Sequence, residues 1–138
     1  MQTIKDVKML EFPQRGDARG AMIVAEGNAD IPFEIKRIFY SYDTDKAAVR
    51  GLHSNRKTEF VLISVAGSCS VKVKDVEGGE KVYRLDAPHK GIYLPKLLWK
   101  EMYDFSTDCV LLVLASEHYD SGEYIRDYNE LRREFAEV

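Results

Sequence analysis

The stretch from Phe60 to Leu85 leaves the backbone few choices. Phe60-Val-Leu-Ile-Ser-Val-Ala66 is an apolar run of strand length closed by Gly67, and in Cys69-Ser-Val-Lys-Val-Lys-Asp-Val76 the residues Val71 and Val73 alternate with Lys72 and Lys74. A period of two belongs to a strand with one face buried. Glu77-Gly-Gly-Glu80 then turns the chain back into Lys81 to Leu85, the pattern of a β-hairpin. Whatever surrounds this stretch must supply further strands for it to pair with.

Similar runs recur on both sides. Ile4 to Phe12 is apolar enough for a strand that Pro13 ends, Gln14 to Gly20 reads as a polar loop, and Ala21 to Glu26 as another strand. Phe33 to Tyr42 predicts a long strand, with Phe33, Ile35, Arg37 and Phe39 on one face and Tyr40 and Tyr42 on the other. Ile92 to Leu94 and Trp99 to Tyr103 are shorter strands, and Cys109 to Ala115, apolar on both faces, is a central one. From Ser121 to Val138 the period changes: Tyr124, Ile125, Tyr128, Leu131 and Phe135 form a stripe that predicts a C-terminal helix capped by Asp120 or Ser121, its tyrosines serving to pack. The pattern predicts a mainly β chain, a small antiparallel jelly-roll barrel with a C-terminal α-helix, as one domain over residues 1–138.

Charge and composition exclude several functions. The net charge of −3, with scattered basic residues, gives no reason for a nucleic-acid partner. The first dozen residues are charged where a secretory signal needs an apolar core, and the run Cys109 to Ala115 is too short to span a bilayer, so a cytoplasmic chain without membrane contact is expected. Cys69 and Cys109 lack a metal-ligand spacing and read as buried free thiols.

The polar entry to the first strand carries the chemistry. In Arg50-Gly-Leu-His-Ser-Asn-Arg-Lys-Thr-Glu59, alternation aims His53 and Asn55 one way, with Lys57 and Glu59 following if the strand is unbroken. Arg50 and Arg56 offer positive charge to an anion, Asn55 an amide to a carbonyl, and Glu59 a carboxylate to orient an imidazole. An arginine on an apolar face, Arg37, is either a paired core charge or a ligand contact.

The spacing His53-x-Asn55-x-x-x-Glu59 before a glycine-ended strand resembles the first motif of the cupin superfamily, with Asn55 where that motif has a second histidine and Lys100, five residues after Pro95, where the second motif has another. An amide is a poor transition-metal ligand and an ammonium has no lone pair, so no metal and no other cofactor is expected.

Phe33-Glu-Ile-Lys-Arg-Ile-Phe-Tyr40, Arg50-Gly-Leu-His53, Gly67-Ser-Cys-Ser-Val71, Trp99-Lys-Glu-Met-Tyr-Asp-Phe-Ser106, Leu114-Ala-Ser116 and Tyr124-Ile-Arg-Asp-Tyr128 together resemble the nucleotide-sugar 3,4-ketoisomerase family, over nearly the whole chain. The resemblance implies a metal-free cupin acting on a dTDP-linked 4-keto-6-deoxyhexose by enolisation between C3 and C4, in deoxysugar or polysaccharide biosynthesis. It implies a homodimer that exchanges N-terminal strands, here residues 1–12. Asp17, Arg19 and Gly20 match the family's Asp-x-Arg-Gly loop, and Tyr40, Arg50 and His53 its active-site strands. On this basis His53, Asn55, Tyr40 and Tyr103 are the expected catalytic groups, His53 as base, Asn55 as electrophilic helper and a tyrosine as second acid. Arg19, Arg37, Arg50, Arg56, Glu59 and Lys100 are the expected substrate contacts. Asn55, Lys100 and Tyr103 each stand where the family has histidine, which leaves two alternatives open: a non-catalytic nucleotide-sugar-binding module and a 3,5-epimerase-like enzyme.

Overall fold

Two five-stranded antiparallel sheets face each other in the computed structural model, which describes residues 2–136. The strands are β1 (Lys8–Glu11), β2 (Gln14–Asp17), β3 (Gly20–Ile23), β4 (Arg37–Ser41), β5 (Arg50–Asn55), β6 (Phe60–Ala66), β7 (Cys69–Lys74), β8 (Glu80–Leu85), β9 (Lys90–Leu94), β10 (Trp99–Tyr103), β11 (Val110–Ala115) and β12 (Tyr124–Ile125), with one helix, α1 (Tyr128–Phe135). The first sheet runs β1-β9-β6-β11-β4 and the second β12-β5-β10-β7-β8, while β2 and β3 form a separate hairpin. This is the expected antiparallel jelly roll.

Between the sheets lies a core to which Phe60 and Leu62 of β6, Val71 and Val73 of β7, Met102 of β10, and Leu111 and Val113 of β11 all contribute. Each such aliphatic side chain removed from water contributes ~1.5–3 kcal/mol. The alternate residues of the first sheet, Val61, Ile63 and Leu114, meet Phe12, Ile31 and Phe33 in a second cluster on its outer face. That second cover explains why β6 and β11 are apolar on both faces. A third cluster joins Val76, Trp99, Ile125 and Leu131, docking α1 on the second sheet. Cys69 and Cys109 are buried free thiols, and burial pushes the Cys69 thiol up to about 11.

Four expectations change. Only Arg37–Ser41 of the long strand pairs, against β11, because Phe33 and Ile35 turn down onto the outer cluster. Gln14 to Gly20 is not a loop but β2 and the tip of a hairpin with β3. Residues 4–6 form a 3-10 turn capped by Thr3, and the strand itself is only β1, paired with β9. The tail is a 3-10 turn (Ser121–Glu123) capped by Asp120, then β12 beside β5, and a helix that begins only at Tyr128 under an Asp127 cap. The last two residues of the expected helix, 137–138, lie outside the described residues. Among the described residues no helix is long and apolar enough to cross a membrane.

Candidate active site

A bulge at the start of β5 shapes the site. Gly51 and Leu52 both adopt left-handed backbone, φ +82° and +56°. The pairing with β10 passes from Glu101 opposite Gly51 to Lys100 opposite His53, leaving Leu52 as the extra residue. Gly51 has to be glycine, since a Cβ there would stand 2.9 Å from the Lys100 carbonyl oxygen. The bulge turns the Gly51 carbonyl back to accept a hydrogen bond from His53 Nδ1 at 2.9 Å. With Nδ1 carrying the proton, the lone pair of the neutral ring is on Nε2. Burial, then the charge of Lys100, pushes His53 down to about 4, so the imidazole is neutral at physiological pH.

Lys100 lies directly across from His53 on the neighbouring strand. Its Nζ donates to Asn55 Oδ1 at 3.1 Å and sits 4.3 Å from the centre of the Phe60 ring. Asn55, 1% exposed, donates in turn to Glu123 Oε1 at 2.8 Å. Glu123 also accepts from the backbone N–H of Lys57 and Thr58, at 2.8 and 3.1 Å, and from the Thr58 hydroxyl. Burial pushes the Glu123 carboxyl up, but these four donors outweigh it and hold the group below the usual carboxylate range. A line Lys100–Asn55–Glu123 thus runs from the barrel interior to the 3-10 turn after β11.

His53, Lys100, Phe60, Leu62, Met102, Val113, Phe39 and Tyr124 enclose a cavity of about 90 Å³. Phe39 and Tyr124 also line an outer groove of about 380 Å³ with Arg37, Ile38 and Tyr119. The His53 and Tyr124 rings stand 4.9 Å apart and those of Tyr124 and Tyr119 5.8 Å. Arg37 stacks between Phe39 and Tyr119, at 5.2 and 5.6 Å, and its buried Nε and Nη2 have no hydrogen-bond partner. The result is a small pocket with a base and a cation, opening into an aromatic groove with an unpaired guanidinium.

The structure brings together His53, Asn55, Lys100 and Arg37 of the residues singled out in the sequence. Asn55 is not an electrophilic helper at a ligand, however, because its carbonyl is taken by Lys100, its amide by Glu123, and it does not line the cavity. Tyr103 is three residues from Lys100 and therefore on the other face of β10, where Lys72 lies over its ring. Tyr40, 62% exposed, stands beside Tyr42 on the face of β4 away from Phe39. β5 ends at Asn55, so Glu59 does not follow His53 inward; it accepts from the Tyr93 hydroxyl in a different cavity. Arg56 forms a paired contact with Glu134 of α1, both bonds 2.8 Å. Arg19 pairs with Asp17 at the hairpin tip, its side chain 90% exposed. Arg50 is exposed at the start of β5, opposite Met102.

Sequence reasoning missed Glu123, Tyr119, Tyr124 and Arg126, the last placed 4.9 Å from the Tyr124 ring. The signal was there in Tyr124-Ile-Arg-Asp-Tyr128, one of the segments that carry the family resemblance, but the helical stripe gave its tyrosines a packing role.

Comparison with known proteins gives consistent matches. Residues 5–136 match the family model described as "FdtA: WxcM-like, C-terminal". The chain is 40% identical over 131 residues, 95% of its length and 94% of the relative's, to a TDP-4-oxo-6-deoxy-alpha-D-glucose-3,4-oxoisomerase of Aneurinibacillus thermoaerophilus. Among solved structures, a histidine-to-asparagine mutant of the 3,4-ketoisomerase QdtA from Thermoanaerobacterium thermosaccharolyticum, in complex with TDP-4-keto-6-deoxyglucose, superposes with a TM-score of 0.91 at 41% identity, covering 95% of this chain and 94% of that one. A 3,4-ketoisomerase from Helicobacter canadensis gives 0.90 at 43%, covering 94% and 96%.

Proposed function

The chain belongs to the FdtA, WxcM-like family, and from that premise we propose that it is a sugar 3,4-ketoisomerase acting on a TDP-linked 4-keto-6-deoxyhexose. The observation that carries this reading is His53, held neutral with Nε2 free beside a buried cation. A hydrogen on C3, next to the C4 ketone, is acidic only while the developing enolate is stabilised, and an imidazole lone pair beside a positive charge meets both needs. The C3–C4 edge of the hexose reaches into the inner pocket, which is too small for the whole ring. The groove takes the nucleoside diphosphate, with Arg37 on a phosphate and Tyr119 against the base.

The reaction needs no metal, since an ammonium occupies the wall where a cation would sit and Asn55 is already spent on it. The enzyme works as a cytoplasmic single-domain homodimer in deoxysugar biosynthesis, without nucleic acid or membrane. Support for the dimer comes from β4, an edge strand with Ile38, Tyr40 and Tyr42 exposed. Any exchange of N-terminal strands has to displace the β1–β9 pairing within the chain. A monomer by light scattering at micromolar concentration removes the dimer from the proposal.

Incubating the protein with TDP-4-keto-6-deoxyglucose in heavy water tests the activity. Deuterium at C3 of the recovered substrate and at C4 of a 3-keto product is the expected result. Exchange at C3 and C5 without a 3-keto product makes it an epimerase, and tight binding without exchange makes it a binding module.

A further inference from the structure

Lys100 is more than a positive wall. It is 5% exposed, has three N–H donors and bonds one group, the Asn55 carbonyl, with an aromatic face beneath it. Among the described residues no carboxylate lies within salt-bridge distance of it; the nearest negative charge it feels is Glu123, on the far side of Asn55. An ammonium so placed is ready to give up a proton, and its free donors belong to a cavity that it shares with the neutral imidazole of His53.

We propose that Lys100 is the second acid–base group of the reaction, handling the proton on oxygen while His53 handles the proton on carbon. This deepens the ketoisomerase reading and rests on it. Two protons move in the conversion. The C3–H electron pair becomes the C3–C4 double bond as the proton passes to His53 Nε2, and the carbonyl pair moves onto O4, which takes a proton from the Lys100 ammonium. The neutral amine then removes the proton of the C3 hydroxyl. As the C3 carbonyl forms, the double-bond pair takes the proton back from His53 at C4. Both side chains end as they began, and no external oxidant, reductant or acid is consumed.

The geometry suits this division. His53 and Lys100 project from facing positions of adjacent strands into one cavity, so both reach neighbouring atoms of one sugar ring. Burial pushes Lys100 down to about 7, with Glu123 opposing, so the amine and ammonium are both accessible near neutral pH. Asn55 and Glu123 are positioning residues. They fix the ammonium by a chain of hydrogen bonds of 3.1 and 2.8 Å and keep a full negative charge out of direct contact with it. An amide at position 55 cannot carry a proton at neutral pH, and a lysine at position 100 can, so these two departures from the histidine pattern compensate each other.

The pH profile of kcat/KM and two variants test the assignment. The groups facing Lys100 are His53 and Asn55 from β5, Phe60 from β6, Tyr124 from β12 and Met102 from its own strand, with Glu123 and Arg126 beyond; His53 is pushed down to about 4 and Lys100 itself to about 7. Activity should therefore fall as pH rises through about 7, where the donor is lost, and as pH drops towards about 4, where the base is lost. Lys100→Met should lose roughly two to three decades of turnover with little change in TDP affinity, and the limb near neutrality should vanish. Lys100→Arg keeps the charge but not the proton exchange. It should wash deuterium into C3 faster than Lys100→Met while forming 3-keto product no faster.

Wild-type product formation in Lys100→Arg, turnover of Lys100→Met within about three-fold of wild type, or a wild-type profile flat between pH 6 and 8 would each overturn the lysine's role and leave the ketoisomerase intact. A wild-type protein that yields neither exchange nor 3-keto product overturns the ketoisomerase, and this inference with it.

Discussion

Among the described residues two carboxylates are buried, and they serve opposite ends. Asp75, 2% exposed, closes the loop between β7 and β8 by accepting from the backbone N–H groups of Ile4, Glu77 and Gly79 at 3.0, 3.0 and 2.7 Å. Every donor it binds belongs to the backbone, and the network ends there. Glu123, 3% exposed, also takes two backbone N–H groups, but adds the Thr58 hydroxyl and the Asn55 amide, and through Asn55 it reaches an ammonium inside a cavity. Burial and full satisfaction are common to both. What distinguishes a site is that the chain of bonds leads to a group with capacity left over, here the unused donors of Lys100 and the free Nε2 of His53.

That contrast can be broken by substitution. The largest expected effect is His53→Asn, which takes away the base and should lower C3 exchange by roughly three to four decades while TDP binding, measured by calorimetry, persists. Undiminished exchange would strike this histidine from the mechanism. Glu123→Gln comes next. Losing a unit charge several ångströms from Lys100 makes the ammonium less stable still, so that less of it is present at neutral pH, and at an effective dielectric of about 20 this corresponds to a roughly ten- to hundred-fold loss of turnover there. The descending limb of the rate profile should move to lower pH, because the Glu123 charge is what raises the Lys100 value. Asp75→Asn should cost about 1–3 kcal/mol in urea unfolding, with kcat unchanged. If Asp75→Asn loses as much turnover as Glu123→Gln, the distinction between the two carboxylates is empty.

Much of the fold is legible in the chain because it rests on local alternation. The hairpin of β7 and β8 pairs in the register that Val71, Val73 and the Gly78-Gly79 turn demand. The two-faced apolar pattern of β11 marked it as central, and it is flanked by β6 and β4. Strand parity also carried information that residue type obscured: Tyr103 is an odd number of residues from Lys100, which alone sets it on the other face.

The helix boundary failed for a physical reason. Tyr124 and Ile125 sit one turn before Tyr128 in the helical stripe, yet the same two residues serve a two-residue strand on Asn55 and Ser54, and tertiary pairing prevailed. Arg37 was readable as an apolar-face cation needing a partner. Glu123 was not, since all its partners lie at positions 55, 57 and 58, and only the closed fold brings them within reach. The same holds for Lys100 and Asn55. Each looked like the loss of a histidine, and only their contact shows them to be a pair.

The bulge at Leu52 has a consequence for how this strand tolerates insertions and deletions. Arg50 and His53, opposite Met102 and Lys100 respectively, share a face of β5 although they are three positions apart, because Leu52 adds one step to the count. Removing Leu52 would not shorten a loop. It would restore plain alternation with Arg50 and the histidine two positions apart and still on one face, but would lose the bend that turns the Gly51 carbonyl onto the imidazole. A residue added to Arg50-Gly-Leu-His53 should therefore send one of the two side chains to the other face, a residue removed should spare the faces and loosen the histidine, and the hairpin tip at residues 18–19, which is exposed and paired only with itself, can be lengthened freely.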